Sequence, residues 1–345
     1  MITARVIVAI PTLVADEALD DCFSALDQQT FRDFAVILID NSGQGLTRRF
    51  AQRQAAPPGP GAFPLHIIEN PGNVGFGSAI NQAMAASQGD YVATLNDDCV
   101  PRAEWLAELV AVIEREYEIG MCASQVRMAG ANAALLDSAG MVISRDAASK
   151  QRGFLESPAN FSKDEEVLCP SASAALYRRE MLEDVGGFDE SYFLYCEDTD
   201  LGLRARWAGW QARYAAKAVV THRYSHSAGR VSPLKAYLVE RNRLVTAVKN
   251  LPARDLWLLP FAGLIRYSWH VVGLLSGRGA TAQYHKQEGG GLSLFWYVAK
   301  AHGYLLATLP RVLSRRRHMK RRMQPRQVSM IFRRHRISLR RVALL

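Results

Sequence analysis

The stretch Leu95-Asn96-Asp97-Asp98-Cys99 follows a short apolar run that begins at Tyr91 and precedes Pro101. The run is typical of a buried strand, and the proline ends it. Two carboxylates at the carboxyl end of a buried strand repel each other unless a cation lies nearby. Mg²⁺ or Mn²⁺ would fit, because such ions are often held by one or two carboxylates together with substrate phosphates. An aspartate-rich turn is the alternative interpretation of these five residues.

The charge of the 345-residue chain is unevenly distributed. The net charge is +9, yet residues 311–345 contain thirteen Lys and Arg and no Asp or Glu, so the remainder is mildly acidic. Such a tail indicates a negatively charged partner, either anionic lipid or nucleic acid. Nucleic acid is unlikely, because no recognition motif accompanies the charge.

The five cysteines are scattered and form no Cys-x-x-Cys pair. This pattern argues against a disulfide framework or a structural zinc site and fits a reducing compartment such as the cytoplasm. The apolar run at residues 6–10 is too short for a signal peptide, so we expect it to be the first strand.

Strands and helices alternate along the first hundred residues. Strands are predicted at residues 5–10, 34–39, 65–68 and 91–95, and helices at residues 16–28, 46–54 and 78–87. Residues 55–64 are rich in Pro and Gly and read as a loop. This order predicts an α/β fold with a mixed, mostly parallel sheet flanked by helices. Ligands bind such sheets at the carboxyl ends of the strands, where Asp40, Asn73 and Asp98 would converge.

A glycine-rich turn with Gly72, Gly75 and Gly77 follows the third predicted strand. Its spacing differs from the dinucleotide fingerprint, and no Gly-Lys-Ser/Thr sequence follows it. A nicotinamide-dependent enzyme and a P-loop nucleotidase are therefore unlikely.

A second cluster of acids, Glu197-Asp198-Thr199-Asp200, opens a predicted helix. Acids near a helix N-terminus complement the helix dipole, and Asp200 can pair with Arg204 four residues later. Those effects do not account for the flanking aromatic residues or for two acid clusters in one chain.

Seven motifs, spread over about residues 5–245, resemble the family 2 glycosyltransferases of the GT-A fold, especially their bacterial rhamnosyltransferase-like branch. They are Pro11-Thr12, Ile39-Asp40-Asn41-Ser42, Gly72-Asn73-Val74-Gly75-Phe76-Gly77, Leu95-Asn96-Asp97-Asp98, Gly186-Gly187-Phe188-Asp189-Glu190, Tyr195-Cys196-Glu197-Asp198-Thr199-Asp200-Leu201 and Arg241-Asn242-Arg243. The chain departs from relatives at Ser171-Ala172-Ser173, where they often have Gly-Ala, and at Asn96-Asp97-Asp98, where many have Asn-Pro-Asp or Asp-Asp-Asp.

The resemblance implies a metal-dependent, inverting glycosyltransferase that uses Mg²⁺ or Mn²⁺. Asp98 aligns with the last acid of the family's metal motif and is the expected ligand, with Asp97 as its support or as the direct ligand instead. His222 is the expected metal-binding or phosphate-binding histidine, and His226 is the alternative.

The same resemblance assigns Asp198 as the general base that faces the acceptor hydroxyl, with Glu197 tuning it or binding the acceptor. A base placed opposite the leaving group gives a single displacement with inversion at C1. Pro11, Thr12, Asn73, Gly75 and Arg241 then belong to the nucleotide-sugar site.

The donor is expected to be a dTDP- or UDP-sugar, because Asp40 can accept the N3–H of thymine or uracil, which cytosine lacks. An Asx turn at Asp40 is the alternative. Arg241 and Arg243 either reach a phosphate or form a solvated helix face. L-Rhamnose is one expected sugar and galactofuranose or N-acetylglucosamine another. The acceptor would be a glycan or a lipid-linked glycan, and a catalytically silent nucleotide- or glycan-binding scaffold is the competing class.

We expect residues 1–250 to form the catalytic domain and residues 251–345 a helical, basic, membrane-associating region. Residues 251–275 and 292–309 read as apolar helices, the first of them interfacial, and residues 276–291 as a glycine-rich linker. Together with the basic tail they predict a protein peripheral to the inner face of the cytoplasmic membrane. The alternative is a helical region that simply packs on the catalytic domain.

Overall fold

The computed structural model of the chain describes residues 1–50, 62–223, 232–288 and 291–345. Its strands are β1 Ile2–Thr3, β2 Val6–Thr12, β3 Phe34–Asp40, β4 Leu65–Glu69, β5 Ser87–Gln88, β6 Tyr91–Leu95, β7 Cys99–Pro101, β8 Ile119–Met128, β9 Leu136–Ser138, β10 Met141–Ile143, β11 Ser149–Gln151, β12 Glu165–Glu166, β13 Ala174–Arg178 and β14 Gln211–His222. The helices before residue 251 are α1 Glu17–Asp27, α2 Phe76–Ala85, α3 Trp105–Ile113, α4 Arg179–Val185, α5 Glu197–Trp207 and α6 Pro233–Asn250.

The main sheet is mixed, in the order β12-β14-β8-β13-β6-β2-β3-β4, with β7 pairing to β14 and β9 to β8. Strands β6, β2, β3 and β4 are parallel, as the alternation of strands and helices predicts. Strand β13 is antiparallel to both of its neighbours and joins this parallel half to β8 and β14. The expectation of a mixed, helix-flanked sheet is confirmed.

The central strands are buried on both faces. Alternate residues of β2 enter different apolar clusters, Ile7 on one face and Val6 on the other. Helices α1 and α3 cover one face, and α2 and α5 cover the opposite face. This double burial explains why these strands are continuous apolar runs rather than alternating ones.

The helix predicted at residues 46–54 is a 3₁₀-helix at Leu46–Phe50, and residues 51–54 lie outside the described residues, as does most of the predicted loop at 55–64. The helix predicted at residues 16–28 is confirmed as α1, which Asp16 caps by accepting a hydrogen bond from Ala18 N at 3.0 Å.

The region after residue 250 is helical, with α7 Ala253–Leu256, α8 Leu259–Ser276, α9 Gly279–Glu288, α10 Gly291–His318, α11 Pro325–Arg334 and α12 Leu339–Leu344. The prediction of a linker at residues 276–291 is wrong, because α9 occupies most of it and buries Ala282 and Tyr284. Two of its glycines, Gly277 after α8 and Gly279 at the start of α9, adopt positive φ.

The basic tail is folded back on the rest of the chain. Val328 and Phe332 of α11 enter the same apolar cluster as the sheet. Lys320 and Arg322 both bind Asp184 at 2.7 Å, and Arg334 binds Glu166 at 2.7 Å. Part of the tail therefore neutralises acids of its own chain, and a negatively charged partner for the remaining cations stays a prediction. None of the described helices is long and apolar enough to cross a bilayer.

A buried ion network joins α5 to α6. Asp200, which is fully buried, binds Arg204 Nε and Lys249 Nζ at 2.8 Å each and accepts a hydrogen bond from Asn250 at 2.8 Å. The predicted pair of Asp200 with Arg204 is confirmed, and the network fixes the helix that begins with Glu197 and Asp198.

The substitution Asp200→Asn should lower the free energy of unfolding by about 3–5 kcal/mol, because it leaves buried cations without their shared carboxylate. Urea denaturation measures the change. The control Asp20→Asn breaks the exposed pair with Arg49 and should change the free energy by less than about 1 kcal/mol. Equal effects of the two substitutions would contradict the importance of the network.

Candidate active site

The two aspartates after β6 lie beside the end of β14. Strand β7 pairs antiparallel with β14, so that Cys99 stands opposite His222. This pairing brings His222 Nε2 to 3.1 Å from Asp98 Oδ1. The chain thus forms a corner, called here the His222 corner, in which residues 124 positions apart in sequence are in contact.

A third member of the His222 corner, Asp137, is one that sequence reasoning missed. Asp137 lies in β9 and is buried, and its Oδ2 is 2.7 Å from His222 Nδ1. Its sequence signal is weak: a single acid after two leucines belongs to none of the family motifs. Its burial, which requires a partner for the carboxylate, is visible only in the structure.

The residues of the corner fit a divalent ion. Ligand atoms of Asp98, Cys99 and His222 lie within 4.8 Å of one another. Burial and the charge of Asp98 raise the pKa of the Cys99 thiol, whose Sγ lies 3.6 Å from Ser173 O, so the thiol remains neutral and is a poor ligand for a hard ion. Asp98 and His222 are therefore the groups that would hold the ion.

Asp137 orients the histidine for that task. Burial opposes protonation of His222, but hydrogen bonds to Asp137 and Asp98 outweigh it and raise the pKa of His222 to about 10. A carboxylate on the second ring nitrogen fixes the ring and makes the first nitrogen more basic, as is usual for metal-binding histidines. Binding of an ion at Nε2 would release the proton.

Asp97 points to a different partner. Its Oδ2 accepts a hydrogen bond of 2.6 Å from Thr12 Oγ1 at the end of β2. Pro11 and Thr12 pair in register with Ile39 and Asp40 of β3. This arrangement supports Asp98 over Asp97 as the metal ligand. It places Asp97 beside the carboxyl ends of β2 and β3.

The second acid cluster begins α5 after an unusual turn. Phe193, Tyr195 and Cys196 have positive φ values of 64°, 71° and 66°, which are uncommon for residues other than glycine, and Cys196 is left-handed. Such strained turns are frequent at functional sites, where the surrounding structure holds them in place. The turn delivers Glu197 and Asp198 at the start of the helix.

The two acids have different environments. Asp198 accepts hydrogen bonds from Ala172 N at 3.3 Å, from Thr199 N at 2.5 Å and from Thr199 Oγ1 at 3.2 Å. Glu197 is buried, and within the described residues no donor reaches its Oε2. Burial raises the pKa of both, and the charge of Asp198 raises that of Glu197 further. The donors stabilise the charged form of Asp198, so the proton shared by the pair belongs on Glu197.

One short segment connects both acidic sites. Ala172 N donates to Asp198 Oδ2 at 3.3 Å, while the next residue, Ser173, accepts a hydrogen bond from Asn96 N at 2.8 Å. Asn96 directly precedes the two aspartates of the His222 corner. The segment of residues 171–173 therefore adjoins both acidic sites.

Asp40 is at the end of β3, as expected, but its carboxylate already has local donors. Oδ1 accepts from Ser42 N at 2.8 Å, and Oδ2 lies 3.4 Å from both Thr47 N and Thr47 Oγ1. This is the Asx turn that the sequence offers as the alternative. Hydrogen bonds from these donors outweigh the opposing effect of burial and lower the pKa of Asp40, which is therefore charged. A contact of Asp40 with the nucleobase of the donor stays a prediction.

The glycine-rich turn packs against the strained turn before α5. Asn73 Oδ1 accepts a hydrogen bond from Gly75 N at 2.9 Å, and Gly75 has a φ of 89°. A Cβ on Gly75 would lie 2.5 Å from Phe193 O, so glycine is required there by the protein's own backbone. A ligand contact at Asn73 or Gly75 stays a prediction, because the close approach in the structure is internal.

The two arginines of α6 have structural partners. Arg241 Nη2 donates to Tyr192 O at 2.6 Å and to Ser191 O at 3.2 Å. Arg243 is buried and ion-paired with Glu240 and Asp146. The alternative of a solvated helix face is wrong for both, and a contact of Arg241 with the donor stays a prediction. His226, the alternative to His222 as the metal-binding or phosphate-binding histidine, lies outside the described residues.

Solved structures show the same fold. The structure of S. aureus TarS 1-349 in complex with UDP-GlcNAc has a TM-score of 0.53 at 16% identity. The match covers 97% of this chain and 93% of the TarS chain. GalNAc-T7 with UDP, GalNAc and Mn²⁺ covers 88% of this chain and 57% of its own, with a TM-score of 0.59 at 12% identity. These similarities establish the GT-A fold.

Sequence relatives narrow the assignment further. The N-acetylglucosaminyl-diphospho-decaprenol L-rhamnosyltransferase of Mycobacterium tuberculosis is 31% identical over 242 residues, which are 61% of this chain and 74% of that protein. Residues 7–186 match the model of glycosyl transferase family 2, which is more than half of the chain. With its strand-end acids, its second acid pair and its GT-A fold, the chain belongs to glycosyl transferase family 2.

Proposed function

We propose that the protein is a metal-dependent, inverting glycosyltransferase that moves a sugar from a dTDP- or UDP-sugar to a hydroxyl of a glycan or lipid-linked glycan. Transfer of a glycosyl group follows from the family; the donor, the ion and the acceptor are the proposal. One observation supports it above all others: the His222 corner and Asp198 both adjoin the segment of residues 171–173, in which Ala172 N donates to Asp198 and Ser173 O accepts from Asn96 N.

The donor side of the cleft is the His222 corner. Asp98 and His222 would hold Mg²⁺ or Mn²⁺, and Asp137 keeps His222 oriented. Such an ion, when bound, would supply positive charge beside the leaving diphosphate. Asp97, held by Thr12, faces the nucleotide side together with Asp40 at the end of β3.

The acceptor side is the acid pair at the start of α5. Asp198 takes the proton from the acceptor hydroxyl as the acceptor oxygen bonds to C1 and the bond from C1 to the diphosphate oxygen breaks. Attack from the side opposite the leaving group inverts the configuration at C1 of the sugar. Glu197, which holds its own proton, does not compete for this role and keeps a second charge out of the pocket.

L-Rhamnose and a lipid-linked acceptor are the specific proposal, because the Mycobacterium tuberculosis relative is named for both. The competing donors are sugars such as galactofuranose or N-acetylglucosamine, the latter found as its UDP derivative with S. aureus TarS. With such an acceptor, the protein works as a peripheral protein at the inner face of the cytoplasmic membrane.

The substitution Asp198→Asn should lower the rate of transfer by about 10²–10⁴-fold, because it removes the proton acceptor, and should leave donor affinity unchanged. Glu197→Gln serves as the matched variant: it mimics the protonated side chain and should keep the rate within about tenfold. Transfer is measured by release of the nucleoside diphosphate. An Asp198→Asn enzyme with unchanged transfer would reject the assignment of the base.

The substitution Asp98→Ala should abolish Mn²⁺-dependent binding of UDP or dTDP, since it removes a ligand. Asp137→Asn should weaken Mn²⁺ binding by about 10–100-fold, because the histidine loses its orienting carboxylate. Calorimetric titration of Mn²⁺ in the presence of nucleotide measures both. Asp90→Asn, at an exposed carboxylate of the same chain, should have no effect. Mn²⁺ affinity that survives Asp98→Ala would exclude the corner as the metal site.

In a calorimetric panel, UDP and dTDP should bind more tightly than CDP, since only uracil and thymine present an N3–H donor. Transfer or hydrolysis should then be fastest with dTDP-L-rhamnose among the sugar nucleotides tested. Binding of UDP or dTDP without turnover of any donor would favour the silent scaffold, and a preference for CDP would exclude Asp40 as the base-reading residue.

A further inference from the structure

Helix α8 exposes a row of large apolar side chains. Trp257, just before the helix, and Leu275, near its end, are 82% and 83% exposed. The row repeats at intervals of three, four and seven residues, which places it on one face of the helix. This apolar face comprises Trp257, Phe261, Leu264, Ile265, Val272 and Leu275.

The opposite side of α8 is fixed to the body of the protein. Arg266 is buried there, binds Glu240 of α6 at 2.8 Å, and is ion-paired with Asp146. Burying these charges without each other would be costly, so the helix cannot rotate about its axis to hide the apolar face. The face is therefore held toward solvent.

A basic cavity adjoins the start of the apolar face. Arg145, Arg333 and Arg336 line this cavity of about 130 Å³, called here the arginine pocket, together with Leu258, the residue next to Trp257. Asp255 is the one carboxylate among its lining residues. Within the described residues, no carboxylate is in ion-pair contact with any of the three arginines. The pocket thus has an excess of positive charge.

The positions of these arginines are built into the fold. Ile143 N donates to His335 O, and Ile337 N donates to Ile143 O, each at 3.1 Å, so Arg336 is held beside the strand that precedes Arg145. Burial and the charges of Arg145 and Arg333 lower the pKa of Arg336. Three cations placed this close repel each other, and a bound anion would relieve the repulsion.

We propose that the apolar face and the arginine pocket together form the surface by which the protein binds an anionic phospholipid bilayer, with the pocket receiving a lipid phosphate. The inference rests on the proposed function, in which the acceptor is lipid-linked. Charge complementarity identifies the occupant: residues 251–345 contain only two acids, Asp255 and Glu288. Apolar and aromatic side chains beside arginines are what an interfacial helix on anionic lipid requires.

Sedimentation with vesicles tests the proposal. The full chain should bind phosphatidylglycerol vesicles more tightly than phosphatidylcholine vesicles. The pocket variant Arg145→Gln, Arg333→Gln, Arg336→Gln should lose about 100-fold in affinity for phosphatidylglycerol and little for phosphatidylcholine. The face variant Trp257→Ser, Phe261→Ser, Leu264→Ser should lose binding to both, because its apolar anchor is gone.

The control variant Arg102→Gln, Arg317→Gln, Arg326→Gln removes the same charge at three exposed positions and should lose less than about fivefold. Equal losses of vesicle affinity in the control and pocket variants would overturn the arginine pocket as the site. They would show a general electrostatic attraction of the basic chain instead. Release of the protein by millimolar inorganic phosphate at constant ionic strength would assign the pocket to soluble phosphate instead. A dimer of the wild type that becomes a monomer in the face variant would assign the face to a second copy.

Donor hydrolysis in solution separates this inference from the proposed function. Face and pocket variants that hydrolyse donor like the wild type but no longer sediment with vesicles would support both. Vesicle binding retained by both variants would overturn only the surface. If neither the wild type nor any variant turns over the donor, while the wild type still binds vesicles, only the proposed function would be overturned.

Discussion

The contact of His222 with two buried aspartates is the interaction on which the site depends. Asp98 follows β6 and Asp137 lies within β9, so they come from different strands, and each would be costly to bury alone. The imidazole satisfies both and thereby fixes the end of β14 against β6 and β9. The same arrangement leaves one carboxylate and one ring nitrogen suited to a divalent ion, so the stability of the fold and the chemistry of the site rest on the same atoms.

The pair Glu197 and Asp198 shows how similar side chains acquire different tasks. Backbone and hydroxyl donors surround Asp198, whereas Glu197 Oε2 has none among the described residues, so burial protonates Glu197 first. The left-handed turn before them and the network around Asp200 behind them hold the pair in place. Support on both sides is what Asp198, as the proposed general base, would need in order to meet a hydroxyl repeatedly in one geometry.

The C-terminal third shows why a charge count is incomplete. The tail contains thirteen cations, but Lys320, Arg322 and Arg334 bind acids of the body, and Phe332 enters the main core. The apolar face of α8 and the arginine pocket beside it remain accessible to solvent. The proposed attraction to an anionic surface would thus come from a small part of the basic sequence, because other cations of the tail are paired with acids of the body.

The sequence by itself determined the parallel half of the sheet, the family and the acids at strand and helix ends, because periodicity and motif order are local properties. The i,i+4 pair of Asp200 with Arg204 is equally local. Only the tertiary structure decided that Asp137 contacts His222, that Asp198 has donors which Glu197 Oε2 lacks among the described residues, and that Arg241 and Arg243 have partners within the chain. Each of these depends on which groups distant in sequence share a buried volume, where the energy of a charge is set by its neighbours rather than by its residue type.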